Sequence, residues 1–234
     1  MITLLDPMNI DHWAYDLGNF EILRKFSVNE GGYVGWNYPM DYSFIAMCFE
    51  DLYAAGKLSE DMSIIDIGAG PGAIHGYLED KYGLNILGID IQKIWEKDYI
   101  DIQGDFSDDK LRSENGIIND SVDIVIAVSS LEHTPKDKHK SVVQICKKCL
   151  KSGGHLMSTG GAGIESNTEN GQYNLSKKDL CDVYDDEFDK YDYEDVLSRW
   201  ENHREMMESY KERYKTKIGK MNFVTYGVFQ EIMK

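Results

Sequence analysis

A glycine-rich turn between a short apolar strand and a helix constrains this chain more than any other segment. Residues 64–73 read Ile-Ile-Asp-Ile-Gly-Ala-Gly-Pro-Gly-Ala, with three glycines at alternating positions. A buried strand that passes through such a turn into a helix is typical of a doubly wound α/β sheet, in which the ligand lies beyond the carboxyl ends of the strands. The segment therefore predicts both a fold class and the place of its site.

Further β-branched runs indicate that the strand belongs to a parallel sheet. Short runs that are apolar at nearly every position occur at 63–67, 86–89, 122–128 and 154–158, as expected for strands covered on both faces. Residues 72–81 and 136–151 have helical character, and Gly83 follows the first of these where a left-handed cap is wanted. A last β-rich run spans 221–232. The alternation predicts an α/β fold with a doubly wound, mainly parallel sheet.

No linker, repeat or low-complexity tract divides the chain, so we predict a single domain over residues 1–234. We expect a helical cap at 1–60, a core at 63–160, a helical insertion at 165–215 and a final strand at 220–234. Four cysteines are too sparse for a disulfide framework. Since no apolar run approaches about 18 residues and no signal peptide opens the sequence, we expect no membrane contact and a cytoplasmic location.

The balance of charge excludes one large class of partner. The chain holds 25 Lys and Arg against 41 Asp and Glu, a net charge of −16 at neutral pH. Proteins that bind nucleic acid rely on basic patches that release counterions, so we expect no nucleic-acid partner. A small-molecule ligand is not excluded in this way, because a few local groups decide its binding.

Two cofactors compete for the glycine turn. Gly68-x-Gly70-x-x-Ala73, with Asp90 ending the next strand, matches the dinucleotide fingerprint of nicotinamide oxidoreductases. Asp66, at the mouth of the strand, would repel a pyrophosphate by on the order of a few kcal/mol and would attract the ammonium and sulfonium of S-adenosylmethionine. The pattern therefore favours S-adenosylmethionine, with the oxidoreductase as the alternative.

Five segments in order make the chain resemble a class I S-adenosylmethionine-dependent methyltransferase of the small-molecule, type 11-like group. They lie at 66–72, 86–90, 104–106, 129–133 and 150–154, and 226–229 resembles the family's last strand. The resemblance implies a Rossmann-like methyltransferase fold with seven strands, N-terminal helices and a helical insertion before the last strand. A protein that binds the cofactor without catalysis is the surviving alternative.

The resemblance also implies which residues bind the cofactor. Asp90 would accept hydrogen bonds from the ribose hydroxyls, Asp105 would accept from the adenine amine, and Phe106 would lie near the ring. The glycine turn would hold the amino-acid end of the cofactor, whose product is S-adenosylhomocysteine. The expected contacts are Asp66, Gly68, Ala69, Gly70, Gly72, Asp90, Ile91, Gly104, Asp105, Phe106 and Ser129.

His133 is the candidate general base. It follows the strand at 122–128 by a few residues, at the carboxyl end where the site must lie, and an imidazole can take up a proton at neutral pH. The alternative is that His133 caps the helix that begins after Pro135 or binds a loop. We interpret its neighbour Glu132 as a structural contact or a contact to the methionine side of the cofactor.

Substrate contacts are expected from the aromatic stretch 36–44 and from the insertion, with Tyr38, Tyr42, Trp200 and His203 as candidates. Trp200 and His203 belong to a stripe at helical spacing, which favours core packing, with a lid helix as the alternative. The expected acceptor is an oxygen or nitrogen of a small molecule. The chain is similar to small bacterial methyltransferases that act on saccharide or secondary-metabolite precursors.

Two further segments carry weaker expectations. Cys146-x-x-Cys149 lacks two well-spaced further ligands, so we expect no metal. The acidic run at 179–195 is interpreted as a solvated face. Its interleaved aromatic residues suggest an edge strand, and they are Tyr184, Phe188, Tyr191 and Tyr193.

Overall fold

The architecture comes from a computed structural model that describes residues 1–6, 38–70, 72–93, 98–169, 172–188, 193–200 and 224–234. Most of the helical cap predicted at 1–60 therefore lies outside the described residues, as does most of the second half of the insertion predicted at 165–215. Among the described residues, none of the helices combines the length and the apolar character needed to cross a membrane.

A seven-stranded sheet forms the centre of the protein, as predicted. Its order is β1-β9-β6-β5-β2-β3-β4, and β9 runs antiparallel to its neighbours β6 and β1 while the remaining pairs are parallel. The strands are β1 (Ile2–Leu4), β2 (Ile64–Ile67), β3 (Ile86–Asp90), β4 (Ile102–Gln103), β5 (Val122–Val128), β6 (Leu150–Ala162) and β9 (Val224–Ile232). The mainly parallel sheet predicted from the apolar runs is confirmed.

Helices cover both faces of this sheet. They are α1 (Tyr38–Ala54), α2 (Ala73–Tyr82), α3 (Asp109–Glu114), α4 (Lys136–Cys149) and α5 (Lys177–Tyr184), and residues 193–200 are also helical. From β2 the chain crosses through α2 to β3 on one side, and from β5 it crosses through α4 to β6 on the other. Because such crossovers are right-handed, α2 and α4 lie on opposite faces. The switch point is thus between β2 and β5, where a ligand is expected.

The boundaries of α2 follow from its two flanking glycines. Gly72 precedes the helix in an extended conformation without a side-chain cap, so the first backbone N–H groups are left for another partner. Gly83 ends the helix with φ 67°, and its N–H donates to the carbonyl of Glu79. The left-handed cap predicted at Gly83 is confirmed.

The N-terminal region differs from the expected helical cap. Residues Ile2–Leu4 form an edge strand that pairs antiparallel with β9, Ile2 opposite Val228 and Leu4 opposite Tyr226. Ile2 and Leu4 are buried because they alternate onto the covered face. The first residues therefore complete the sheet rather than cover it.

The insertion also begins differently from the expected helical segment. After β6 the chain forms a hairpin of β7 (Asn167–Glu169) and β8 (Gln172–Asn174), and only then α5. Tyr184 is the last residue of α5 and is fully buried, while Phe188 makes an isolated bridge to Ile2. Tyr184 and Tyr193 therefore lie in helices rather than in the expected edge strand, Phe188 pairs with the edge strand through one bridge, and Tyr191 lies outside the described residues.

The acidic run does more than face solvent. Lys140 on α4 lies 2.9 Å from Asp182 and 3.5 Å from Asp185, and Lys136 lies 3.0 Å from Asp179. These pairs are exposed, so each contributes little on its own. Together they join the start of the insertion to α4, on the same side of the sheet.

Candidate functional site

The glycine turn is fixed to the end of the neighbouring strand. Gly68 and Gly70 both have positive φ, 75° and 43°, which favours glycine at these positions. The N–H of Gly68 donates to the Ile89 carbonyl at 2.7 Å, and the N–H of Gly72 donates to the Ala69 carbonyl at 3.1 Å. The turn therefore has a defined shape in which backbone, rather than side chains, faces the ligand side.

Two other segments close on this turn. A Cβ built on Gly68 would lie 2.3 Å from the Cβ of Ser130, and one built on Gly72 would lie 3.7 Å from the hydroxyl of Tyr42. The residues after β5 and the first turn of α1 thus meet the glycine turn at the carboxyl end of the sheet. The three segments form one candidate site.

A hydrogen bond ties two of these segments together. Ser129 follows β5 with φ 44° and is buried, and its hydroxyl donates to Oδ2 of Asp41 at 2.8 Å. Asp41 lies in the first turn of α1 and is fully buried. Sequence reasoning assigned Ser129 to the cofactor and missed Asp41. An acid in the first turn of a helix is common, so its position alone gave no functional signal.

Asp66 lies below the turn rather than open to it. The side chain is buried, and its Oδ2 lies 3.3 Å from Nδ1 of His75 on α2. Burial opposes the charged imidazolium, but the hydrogen bond and charge of Asp66, helped by Glu79 and Asp101, outweigh it and raise the pKa of His75. Because Asp66 is buried and paired with His75, its carboxylate no longer provides a reason to favour a cationic cofactor at the turn.

The end of β3 presents an acid and an exposed apolar side chain. Asp90 is half-buried and accepts from the N–H of Gln92 at 3.0 Å. Burial, assisted by the charge of Asp66, raises the pKa of Asp90. Its neighbour Ile91 is 61% exposed. An uncovered isoleucine beside a carboxylate suits a ligand with a polar sugar and a flat apolar ring.

The next loop is anchored to Asp90 through its backbone. The N–H of Gly104 donates to the Asp90 carbonyl at 2.8 Å. Asp105 is exposed, and one of its oxygens accepts from the Ser107 N–H and hydroxyl, which lowers its pKa. Phe106 is buried, with the Arg112 guanidinium 5.5 Å from its ring centre. Asp105 is therefore accessible, whereas Phe106 is buried and packs against Arg112.

These residues fit S-adenosylmethionine. The backbone of Gly68 to Gly72 offers a cradle for its amino-acid end. Asp90 ends β3 and Ile91 follows it, and Asp105 follows β4, so all three lie at the carboxyl ends of parallel strands. The fit is supported by the exposed Ile91 and by the helix α2, whose start has no side-chain cap.

His133 lies at the end of a short 3-10 helix, Leu131–His133, that follows β5. The side chain is exposed. Partial removal from water lowers its pKa, against a smaller opposite effect from the charge of Asp90. His133 is therefore neutral at pH 7, and its nitrogen can accept a proton.

Glu132, one residue earlier, points inward. It is buried, and burial, reinforced by the charge of Asp41, raises its pKa to about 8. Its Oε2 has no hydrogen-bond partner among the described residues. A carboxyl with a pKa this far from its usual range, at the end of a sheet strand, is a candidate functional group that sequence reasoning treated as a passive contact.

The candidates for substrate binding are spread more widely than expected. Tyr42 is buried, and its hydroxyl lies beside the glycine turn. Trp200 is fully buried, and its indole N–H donates to the Leu5 carbonyl at 2.8 Å, so a substrate contact is wrong for this residue. The side chain of Tyr38 and all of His203 lie outside the described residues.

Within the part of the chain that the structure describes, no group of three or more His, Cys, Asp or Glu is arranged to hold a metal ion. Cys146 and Cys149 on α4 are buried free thiols. Burial raises the pKa of the Cys149 thiol, and the pKa of Cys146 is raised for the same reason. Both behave as packing residues of the helix.

Substituting Asp90 by alanine tests the register of the whole site. We expect the affinity for S-adenosylhomocysteine to fall at least tenfold, because hydrogen bonds to a charged acceptor contribute about 1.5–3 kcal/mol each. Isothermal titration calorimetry measures the change. Asp80→Ala, on the exposed face of α2, is the control for loss of one negative charge. Unchanged affinity in Asp90→Ala would show that the ribose assignment is wrong.

Comparison with known proteins agrees with this geometry. Residues 65–158 match the family described as "Methyltransferase domain". None of the curated protein sequences matches this chain.

Two solved structures show the same fold at low sequence identity. Phosphoethanolamine N-methyltransferase 2 from Haemonchus contortus, in complex with phosphomonomethylethanolamine and S-adenosylhomocysteine, is 13% identical with a TM-score of 0.54. The match covers 80% of this chain and 52% of that one, so this chain corresponds to about half of that enzyme.

Geranyl diphosphate C-methyltransferase from Streptomyces coelicolor, in complex with S-adenosylhomocysteine, is 12% identical with a TM-score of 0.50. The match covers 88% of this chain and 87% of that one. Residues 65–158 thus match a methyltransferase-domain family, and the sheet that surrounds them has the fold of these two methyltransferases.

Proposed function

We propose that this chain transfers the methyl group of S-adenosylmethionine to an oxygen or nitrogen of a small molecule, in the cytoplasm. One observation carries the proposal. The glycine turn, the end of β3, the residues after β5 and the first turn of α1 meet at one end of the sheet. A cofactor cradle and a set of titratable groups thus share one site. Four free cysteines fit a reducing compartment.

Methyl transfer requires little of the protein beyond positioning the acceptor and the cofactor. When bound, S-adenosylmethionine supplies a methyl group that is already activated for displacement. The residues of this chain then have three tasks, which are to align the acceptor, to exclude water and to accept a proton from it. The glycine turn and Asp90 hold the cofactor side. His133 and the residues around Ser129 are placed for the acceptor side.

We assign His133 the role of proton acceptor. Its neutral imidazole lies at the carboxyl end of β5, close enough to Asp90 for that carboxylate to influence its pKa. A proton from an acceptor hydroxyl would pass to this ring as the new bond to carbon forms, whereas an acceptor ammonium would lose its proton to the ring before its nitrogen attacks. The identity of the acceptor as a saccharide or secondary-metabolite precursor in bacteria rests on the overall likeness of the sequence.

Replacing His133 by alanine should reduce turnover at least tenfold and change the affinity for S-adenosylhomocysteine by less than twofold. In the wild type, turnover should fall as the pH drops below the lowered pKa of His133, because the protonated ring cannot accept a proton. His133→Ala should lose this acid limb. Steady-state rates from pH 5 to 8 measure both effects. Turnover equal to that of the wild type would refute the role of His133.

A further inference from the structure

Asp66 and His75 form a buried pair across the two ends of the glycine turn. Asp66 belongs to β2, which leads into the turn, and His75 lies in the first turn of α2, which follows it. Oδ2 of Asp66 lies 3.3 Å from Nδ1 of His75, and the two side chains are 4% and 3% exposed. The pair therefore fixes the strand and the helix relative to each other on the two sides of the turn.

The second ring nitrogen of His75 also faces a carboxylate. Nε2 lies 3.5 Å from Oε1 of Glu79, one turn further along α2. Ionised carboxylates only accept hydrogen bonds and a neutral imidazole has one N–H, so only an imidazolium can donate to both acids. Burial lowers the pKa of His75, but the charges of Asp66, Glu79 and Asp101 raise it by more. Geometry and charge thus agree on a protonated His75.

The other two acids near His75 are held by the backbone of β3. Oε1 of Glu79 accepts from the Ile86 N–H at 3.1 Å, and Oδ2 of Asp101 accepts from the Gly88 N–H at 2.8 Å. Neither carboxylate can move away from His75 without breaking its hydrogen bond to the strand. Loss of the proton from His75 would therefore leave the buried Asp66 without a cation, which is costly in a protein interior.

Tyr99 joins His75 to the glycine turn by a second route. Its ring stacks on the imidazole, with ring centroids 4.8 Å apart and an interplanar angle of 20°. Its backbone N–H donates to the Gly70 carbonyl at 3.0 Å. The ring has room over α2 because residue 76 is glycine, where a Cβ would lie 2.4 Å from the Tyr99 hydroxyl. A displacement of His75 would thus reach the turn through Asp66 and through Tyr99.

We propose that His75 is a positioning residue for the glycine turn. As an imidazolium paired with Asp66, it holds β2 and α2 in the arrangement in which the turn binds S-adenosylmethionine, and cofactor affinity falls when His75 loses its proton. This inference rests on the proposed function and adds a dependence on pH to it. Because protonation favours the turn that binds the cofactor, cofactor binding must in return favour protonation of His75.

His75→Gln tests the role of the charge. A glutamine amide can still donate a hydrogen bond to Asp66, but it carries no proton that titrates. At pH 6 we expect the variant to bind S-adenosylhomocysteine about fivefold more weakly than the wild type, at the lower end of typical coupling between two sites. As the pH rises and wild-type His75 loses its proton, the two affinities should converge. Isothermal titration calorimetry from pH 6 to pH 9 measures the ratio.

This ratio cancels the titration of the ligand and of every other group that both proteins share. The titratable groups that face His75 are the carboxyls of Asp66, Glu79 and Asp101 and the phenol of Tyr99, and the variant keeps all of them. Burial, helped by the charge of Glu79, raises the pKa of Tyr99, so this phenol keeps its proton over the range. A ratio that is the same at every pH would assign His75 to the fold alone and overturn the proposal.

His155 provides a matched control. It is also a buried histidine, its ring stacks on Phe229 with centroids 5.2 Å apart, and its Nε2 lies 3.7 Å from Oε2 of Glu231. It pairs with Ile124 near the start of β5, at the end of the sheet away from the glycine turn. His155→Gln should therefore bind S-adenosylhomocysteine with the wild-type affinity at every pH. The same pH-dependent loss in both variants would contradict a specific role for His75.

A second measurement uses the wild type, so it decides the question even if His75→Gln does not fold. An NMR titration of the His75 ring should give a higher pKa with S-adenosylhomocysteine bound than without it. Equal pKa values would overturn the proposal. If the product binds but neither measurement depends on His75, this inference fails and the proposed function stands. If the product does not bind the wild type at any pH, the proposed function fails as well.

Discussion

Gly68→Ala is expected to weaken S-adenosylhomocysteine binding at least tenfold and to destabilise the fold by about 2–5 kcal/mol. A residue with a Cβ at φ 75° costs about 1–2 kcal/mol. The new Cβ would also lie 2.3 Å from the Cβ of Ser130, and relieving such a contact in a packed region costs about 1–3 kcal/mol more. Since both the turn and the residues after β5 must shift, the cofactor cradle should lose its shape. Calorimetry and urea unfolding measure the two effects.

The chain offers a matched control for backbone strain. Gly116 has the same φ of 75°, but nothing lies within 4 Å of a Cβ built on it. Gly116→Ala should therefore cost about 1–2 kcal/mol and leave cofactor affinity unchanged. A loss in Gly68→Ala no greater than this would mean that Ser130 does not constrain the turn.

A double variant tests the contact itself. Ser130→Gly in the Gly68→Ala background removes the Cβ that the new methyl group meets. We expect it to recover most of the affinity that exceeds the strain measured at Gly116. Residues in direct contact show such non-additive effects, whereas independent sites do not. Strictly additive losses would contradict the close approach of these two segments.

Trp200→Ala should destabilise the fold by about 3–5 kcal/mol, the usual range for a large aromatic residue lost from a core. The side chain is fully buried, and its indole N–H is the donor to the Leu5 carbonyl. Trp200 thus ties the insertion to the segment that follows β1. Urea unfolding measures the loss. Because the residue acts in the core, the folded fraction should bind S-adenosylhomocysteine with the wild-type affinity.

Trp200→Phe separates packing from hydrogen bonding. It keeps most of the ring volume but leaves the buried Leu5 carbonyl without its donor, which costs about 1–3 kcal/mol. A phenylalanine variant as unstable as the alanine variant would assign the effect to the hydrogen bond alone. If Trp200→Ala instead reduced turnover without loss of stability, the substrate contact first expected from the sequence would be restored.

The strongest predictions came from segments with a strong local pattern. The apolar run at 122–128 is found as β5 with the same bounds, and the run at 86–89 is extended by Asp90 alone. A strand that is buried on both faces is apolar at nearly every position, and this pattern can be recognised in the sequence alone. The left-handed cap at Gly83 follows from the same kind of local chemistry.

Features that depend on distant partners could not be predicted. β1 has three residues, too few for any periodicity, and it is a strand because β9 lies beside it. The helical spacing around Trp200 is compatible with core packing and with a lid helix. The hydrogen bond from its indole N–H to the Leu5 carbonyl shows that it packs in the core. Asp41 belongs to the candidate site because the Ser129 hydroxyl donates a hydrogen bond to it. The two residues of each pair lie far apart in the sequence, so a local pattern cannot reveal their contact.

Asp66 has a partner that its position in the sequence does not reveal. The prediction placed its carboxylate correctly at the end of β2, but it assumed that this carboxylate had no charged partner. The structure pairs it with His75 on the next helix. The expectation of S-adenosylmethionine does not depend on this charge, because it follows from the order of the segments that resemble the family.

The position of β1 sets an order on the assembly of the sheet. Its pairing partner, β9, is the last strand along the chain. A ribosome releases Ile2 and Leu4 early, yet their hydrogen bonds and their buried surface must wait until residues 224–228 have been made. Bringing β1 and β9 together closes a loop of more than 200 residues, which costs conformational entropy. We therefore expect β1 to pair with β9 after the parallel strands have formed. Until then, two apolar side chains and an unpaired backbone remain open to other proteins in the cell.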